Sequence, residues 1–328
     1  MAEGCARGGV RPGRLLPAAL VLSLVLAAGY RILTQGGPDA EVRRSFPAMG
    51  TMAGLIVVAD EASADSIADS MVSLVSALDR DLDPEGTGSL GRLDATGSCI
   101  PSPDLARLVS ISRELSASTG GRFDPTIRPL VELWGFEGSP AVPESSSVDS
   151  ALALCGWGRF STDGRRLVAE PGAGLDMGAV AAGYAADRAY ELAAGMGASA
   201  VLVDMGGEIR CGGRTWRIAV RHPRGEGFYT VIETDGGAVS TSGDYESFFV
   251  ENGRRYSHIL DPATGFPAAV PASVTVLHDR ADLADALSTA LAVAGSSMRP
   301  EETGASGVLV LTELPDGSLD ETRYGRLD

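Results

Sequence analysis

Ile67, Met71, Leu74, Val75, Leu78 and Leu82 recur every three or four positions, which places them on one face and predicts a long amphipathic helix. Ser102-Pro103-Asp104 has the order of an N-cap, a proline at the first helical position and an acidic first turn. The helix it starts buries Leu105, Leu108, Val109 and Leu115 and stops near Gly120-Gly121. Helical spacing returns over Gly178–Leu192 and Asp282–Val293. Short β-rich runs predict strands at Ala200–Met205, Trp216–Arg221, Tyr229–Thr234 and Ser273–Leu277. Phe248-Phe249-Val250 and Arg255–Ile259 flank Asn252-Gly253, a hairpin turn pair. Strands and helices alternate irregularly, with no internal repeat and no long low-complexity linker. The expectation is an α+β fold in a single domain over residues 41–328.

Residues 1–34 follow a different pattern. Leu15 to Leu33 is an apolar run preceded by Arg7, Arg11 and Arg14 and interrupted by Arg31 near its end. At 1.5 Å rise per residue it roughly matches the ~30 Å hydrocarbon core of a bilayer. The upstream arginines keep this end in the cytoplasm and send the body across. A cleaved signal peptide is the competing reading, because Ala27-Ala28-Gly29 offers small residues. Either way the body is exported. The anchored reading places it at the inner (cytoplasmic) membrane with the catalytic domain on the extracytoplasmic side. No cysteine follows the run, so a lipid-modified cysteine is not supported.

Charge narrows the function classes. The chain of 328 residues has 27 basic and 43 acidic residues, and every basic one is arginine. So acidic a surface repels phosphate backbones, which argues against nonspecific nucleic-acid binding. Glycine is abundant, at 42 residues, yet 44% of the chain is hydrophobic and 21% charged, the balance of a folded globule. Cys5, Cys99, Cys155 and Cys211 form no C-x-x-C pair and read as small hydrophobes rather than a disulfide framework.

Candidate chemistry sits in the glycine- and proline-marked stretches. Gly206-Gly207, after the strand ending at Met205 and before Glu208, is a place where backbone amides could approach a phosphate, or a plain turn. The three histidines, His222, His258 and His278, are too few for a histidine-rich metal site. His258 stands between a hairpin and the loop Asp261-Pro262-Ala263-Thr264-Gly265, a setting suited to general-base work as well as to a structural role. Asp285 and Thr289 are one turn apart on a helix, so a carboxylate and a hydroxyl share a face. Two oxygen donors completed by water, a carbonyl and phosphate is how magnesium is held, while an acidic first turn is the simpler account. Asp124 and Asp176 carry the same two readings.

Taken together, these stretches resemble the ApbE family, the FAD:protein FMN transferases. Phe46–Thr51 is similar to its opening methionine-glycine-threonine strand. Gly121-Arg122-Phe123-Asp124-Pro125-Thr126, with Pro129-Leu130 and Leu133-Trp134-Gly135-Phe136, resembles its F-D-P-T…P-L…W-G-F signature. Leu175–Tyr184 with Asp187 looks like its D-L-G…G-Y…D helix. Asp204–Gly207, Ser242–Tyr245, His258–Gly265 and Ala284–Leu287 with Thr289 follow in family order.

The resemblance implies that Met49, Arg122, Phe123, Asp124, Asp176, Ala182 and Ile259 line an FAD site. It implies that Asp285 and Thr289 bind Mg2+ with the carbonyl of Ala179, and that His258 lies at the reacting phosphate. The family moves FMN from FAD onto a threonine of a partner protein, such as a redox-complex subunit or an exported electron-transfer domain, and releases AMP. Ala182 stands where the family usually has lysine or sometimes glutamate. Leu82–Gly86 replaces its serine- and tyrosine-bearing stretch. A magnesium-dependent FAD pyrophosphatase and a non-catalytic flavin-binding accessory protein are the alternatives.

Overall fold

The computed structural model describes residues 39–136 and 138–327. The apolar run Leu15–Leu33 and Cys5 lie outside the described residues. Among the described residues no helix is long and apolar enough to cross a membrane.

The chain opens with β1 (Asp39–Ala48) and β2 (Thr51–Asp60), followed by α1 (Ala64–Leu82), α2 (Ser89–Thr96), β3 (Ser98–Cys99) and α3 (Pro103–Ser118). Next come α4 (Arg128–Trp134), α5 (Ser145–Leu152), β4 (Phe160–Asp163), β5 (Arg166–Ala169) and α6 (Ala181–Gly195). Then follow β6 (Ala200–Asp204), β7 (Ile209–Arg221), β8 (Phe228–Gly243), β9 (Phe248–Glu251), β10 (Arg254–Ser257) and β11 (Ser273–His278). The helix α7 (Ala281–Ala294) and the strands β12 (Gly307–Glu313) and β13 (Leu319–Gly325) complete it. The fold is mixed α+β, as the irregular alternation predicts.

An eight-stranded sheet in the order β1-β2-β6-β7-β8-β11-β12-β13 is antiparallel throughout. Alternation along each strand supplies two buried faces. Leu55, Val57, Val203 and Val276 point into the larger core with Ile67 and Met71 of α1 and the inner faces of α6 and α7. Cys211, Trp216, Ile218, Ile232 and Leu311 form a smaller cluster on the opposite face. Buried positions of α6 and α7 are mostly alanine, which lets the two helices approach closely. Burial of Cys99 and Cys211 agrees with their reading as small hydrophobes, and it pushes the Cys211 thiol up to about 11.

Several boundaries differ from the sequence expectation. The helix expected from Gly178 begins at Ala181, because Val180, at φ −155° and ψ −23°, has non-helical backbone. The strand expected to end at Thr234 runs through Gly236-Gly237 to Gly243, past a register shift between Gly212 and Trp216 on β7. Glycines in that stretch look like a turn in the sequence but serve an irregular strand pair. The strands β12 and β13 lie outside the sequence expectation, although Pro315-Asp316-Gly317 between them is a turn signal.

A third cluster fixes the loop after the β9–β10 hairpin. Trp134, fully buried, packs with Phe136, Phe249, Tyr256 and Phe266. Its indole N–H donates to the carbonyl of Gly265, 2.9 Å away. Gly265 has φ +74°, and a Cβ there would meet Val148 at 2.6 Å, so only glycine fits. Trp134→Ala should therefore cost about 3–5 kcal/mol of stability, the range for truncating a buried aromatic. Trp134→Phe should cost much less, with urea unfolding of both variants as the measurement.

Candidate functional site

Helices α6 and α7 meet at their N-termini, and neither has a capping side chain of its own. Each is capped by a carboxylate of the other. Asp187 of α6 accepts the N–H groups of Ala281 (2.9 Å) and Asp282 (3.1 Å) at the start of α7. Asp285 of α7 accepts, through Oδ2, the N–H of Gly183 in the first turn of α6 at 3.0 Å. First-turn N–H groups have no partner within their own helix, and the helix dipole favours negative charge there. Gly183 is required for the approach, since a Cβ would stand 2.3 Å from the carbonyl oxygen of Ala281.

Helix α6 starts at Ala181, so the Ala179 carbonyl precedes its ladder and the Gly183 N–H is one of the first-turn groups that need an outside acceptor, here Asp285. One turn on, the Thr289 hydroxyl is 3.2 Å from that of Ser242 on β8. Ser242 also meets Ser288 at 2.7 Å, and Ser288 donates to the carbonyl of Asp285 at 2.8 Å. The Thr289 hydroxyl is thus linked through Ser242 and Ser288 to the backbone carbonyl of Asp285, while the Asp285 carboxylate is held by the Gly183 N–H.

Further carboxylates surround Asp285. Burial, with Glu246 and Asp282 nearby, pushes the Asp285 carboxyl up to about 7. Glu208 is raised well above the usual carboxylate range by burial and by Asp285 and Asp204. Burial and Glu208 push Glu246 up to about 8, although its open edge to water weakens the desolvation. Raised carboxyls with so little compensating positive charge suit a bound cation. Among the described residues no three His, Cys, Asp or Glu side chains form a metal-binding group. The donor set fits magnesium, which takes one or two carboxylates and completes its shell with neutral oxygens. Glu208 and Glu246 were not singled out from the sequence as site residues. Their only signal was adjacency to the Gly206-Gly207 turn and to the Ser242–Tyr245 run.

Gly206-Gly207 is a turn and not a phosphate cradle. Both amides donate to Asp204 Oδ1, at 2.9 and 3.0 Å. Their N–H groups are therefore engaged by the chain itself.

His258 follows β10 directly. Its Nδ1 lies 3.1 Å from the carbonyl oxygen of Ser247, which can only accept, so Nδ1 carries the hydrogen and Nε2 is left as the acceptor. Burial lowers its pKa below the ordinary histidine value, against a smaller upward pull from the Ser247 carbonyl and Asp176. A neutral imidazole at neutral pH is the result. Asp176 Oδ1 accepts the Gly178 N–H at 2.7 Å, and its own N–H reaches the carbonyl of Pro125 at 2.7 Å, which joins this segment to Asp124. Asp124 Oδ1 takes the Thr126 N–H and hydroxyl at 2.9 and 2.7 Å.

The remaining predicted residues are distributed around these groups. Phe123 and Ile259 are buried in the larger core. Arg122 is half-buried in the turn after α3, and Ala182 is half-buried beside Gly183. Met49 occupies the β1–β2 turn, and its N–H donates to Asp79 at 2.9 Å. Two clefts elsewhere, about 760 Å3 beside the end of α7 and about 670 Å3 beside α4, contain none of these residues.

Residues 49–303 match the ApbE family. The chain is 34% identical to an FAD:protein FMN transferase of Rhodobacter capsulatus, an alignment covering 97% of this chain and 64% of that protein. It is 31% identical to an FAD:protein FMN transferase of Vibrio cholerae, over 90% of this chain and 93% of that one. The ApbE protein of Thermotoga maritima superposes with a TM-score of 0.79 at 30% identity, covering 86% of this chain and 97% of that one. The flavinyl transferase ApbE of Pseudomonas stutzeri, in its apo form, gives 0.77 at 31%, over 88% and 96%.

The raised carboxyls predict how stability responds to pH. Asp187 is pushed up to about 6, Asp285 to about 7 and Glu246 to about 8. Each binds its proton more tightly folded than unfolded, so its contribution is full below the ordinary carboxylate range and is lost as pH rises through 6 to 8. Without divalent cation, Tm should fall from pH 5.5 to 8.5, and added magnesium should recover most of that fall. A Tm that rises with pH in the absence of metal would contradict the assignment.

Proposed function

The chain belongs to the ApbE family of flavin transferases, and from that premise we propose that it moves FMN from FAD onto a threonine hydroxyl of a partner protein, with magnesium and release of AMP. The observation that carries the finer reading is the exchange between α6 and α7. On this reading the Asp285 carboxylate, the Thr289 hydroxyl and the Ala179 carbonyl would be the ligands of one cation, which the capping of Gly183 by Asp285 and the contact of Thr289 with Ser242 support. Bound there, magnesium would neutralise phosphate oxygens and hold the diphosphate in line for displacement.

The chain's own residues supply the rest. Met49, Phe123, Asp124, Asp176 and Ile259 are the flavin contacts on this reading, with Arg122 and Ala182 at its margin. His258 Nε2 takes the proton from the threonine hydroxyl as its oxygen bonds to the FMN-side phosphorus. The bond from that phosphorus to the bridging oxygen breaks, and AMP leaves with the electron pair. The acceptor is an exported or membrane-held redox protein, a reading supported by the apolar segment Leu15–Leu33.

Incubation with FAD, magnesium and a candidate acceptor, followed by mass measurement, tests the reading. Acceptor gaining the mass of FMN less water, with AMP released, is the expected result. AMP and free FMN without modified acceptor would make the protein a pyrophosphatase, and bound FAD with no AMP would make it a binding protein.

His258→Ala should reduce transfer by about 10²-fold or more while FAD still binds, the scale of general-base catalysis. Wild-type transfer should decline in acid only below pH ~6.5, because burial holds the imidazole pKa under that value. Asp285→Ala should abolish most metal-dependent turnover and Thr289→Ser little of it, with Thr289→Val between them. Only the carboxylate brings charge, so raising magnesium should restore Thr289→Val more than Asp285→Ala. Turnover across a magnesium titration gives the ordering.

A further inference from the structure

The turn between β1 and β2 has two residues, Met49 and Gly50, both left-handed at φ +49° and +72°. This is the backbone of a type I′ turn, for which Asn-Gly is the easiest pair. Glycine meets the requirement at the second place. Methionine does not meet it at the first, because its Cβ crowds the following carbonyl. Among the described residues the other non-glycine residue with positive φ is Asn252, at the matching place of the β9–β10 hairpin, where asparagine is suited.

The strained residue is tethered from outside the hairpin. Its N–H donates to Asp79 Oδ1 on α1, 30 residues further on, at 2.9 Å in a partly buried setting. The turn also adjoins the site. A Cβ on Gly206 would lie 2.4 Å from Thr51 Oγ1, so the start of β2 packs on the segment that carries Glu208. Strain that persists under an external restraint at the edge of a site is the pattern expected where a side chain is needed in one orientation.

We infer that Asp79 is a positioning residue: its carboxylate holds the Met49 backbone left-handed so that the methionine side chain meets the flavin in one orientation. The inference rests on the reading of Met49 as an FAD contact. Asp79 itself touches no substrate. It acts through one hydrogen bond, and that bond bears on the flavin only while position 49 carries a side chain.

FAD binding to the full chain, by titration of flavin fluorescence, together with Tm, tests this in a double-mutant cycle. Asp79→Ala should weaken FAD binding by about tenfold, the size of one charge-assisted hydrogen bond, and should lower Tm. Asp79→Asn keeps an acceptor oxygen and should bind FAD close to wild type. In a Met49→Gly background, where the methionine contact is gone, Asp79→Ala should have no further effect on FAD affinity, while Tm should still fall because the backbone N–H loses its acceptor. If Asp79→Ala alone does not fold, Met49→Gly should restore folding. Equal FAD affinity of Asp79→Ala and wild type would overturn the inference, as would an equal loss of affinity in both backgrounds or a double variant that stays unfolded. Wild-type FAD affinity in Met49→Gly would instead remove Met49 from the flavin site, which separates failure of that reading from failure of this one.

Discussion

Two carboxylates exchanged between two helix starts hold the site together. Asp187 caps α7 and Asp285 caps α6, so neither helix can shift along the other without exposing unpaired N–H groups. Arg210 reinforces the pair with an ion pair to Asp187 at 3.1 Å, and lies over the Tyr190 ring at 4.1 Å. Alanine-rich facing surfaces allow the close contact, and Gly183 allows the closest part of it. From this clamp follow the orientation of Asp285 and the position of Thr289 one turn beyond.

The clamp also explains why acids accumulate there. A carboxylate that accepts one backbone N–H keeps its other oxygen available, and burial raises the cost of leaving it charged. Glu208 and Glu246 deepen that deficit of positive charge. His258 precedes a loop held by Trp134 and the aromatic cluster. The proposed cation ligands and the proposed base are therefore carried by separate packing units, one made of helices and one of a hairpin.

Much of this was legible in the sequence, for identifiable reasons. The period of Ile67 to Leu82 and the Ser102-Pro103-Asp104 cap are local signals, and the structure has helices at both. Asn252-Gly253 encodes its own turn, with φ of +52° and +76°. Spacing puts Asp285 and Thr289 on one helix face and a marked loop follows His258, but their proposed roles come from the family resemblance. What the chain order hides is tertiary. Gly183 and Asp285 are 102 positions apart, so nothing near either one announces the hydrogen bond. Glu208 and Glu246 are isolated acids in sequence and become neighbours of Asp285 only through the sheet. Gly236-Gly237 misleads in the other direction, because a glycine pair inside an irregular strand has the same local appearance as a turn.

The Gly206-Gly207 turn has a last consequence. Its amides close on the chain's own Asp204, which makes that carboxylate a built-in occupant of the seat a bare phosphate would use. An anion arriving without a cation finds no vacant donors at this turn and three further acids close by. On the proposed reading, a diphosphate carrying its counter-ion would meet less repulsion here than one lacking it. The ionic state of the nucleotide would then count before its shape, and turnover would follow free divalent cation as much as flavin supply.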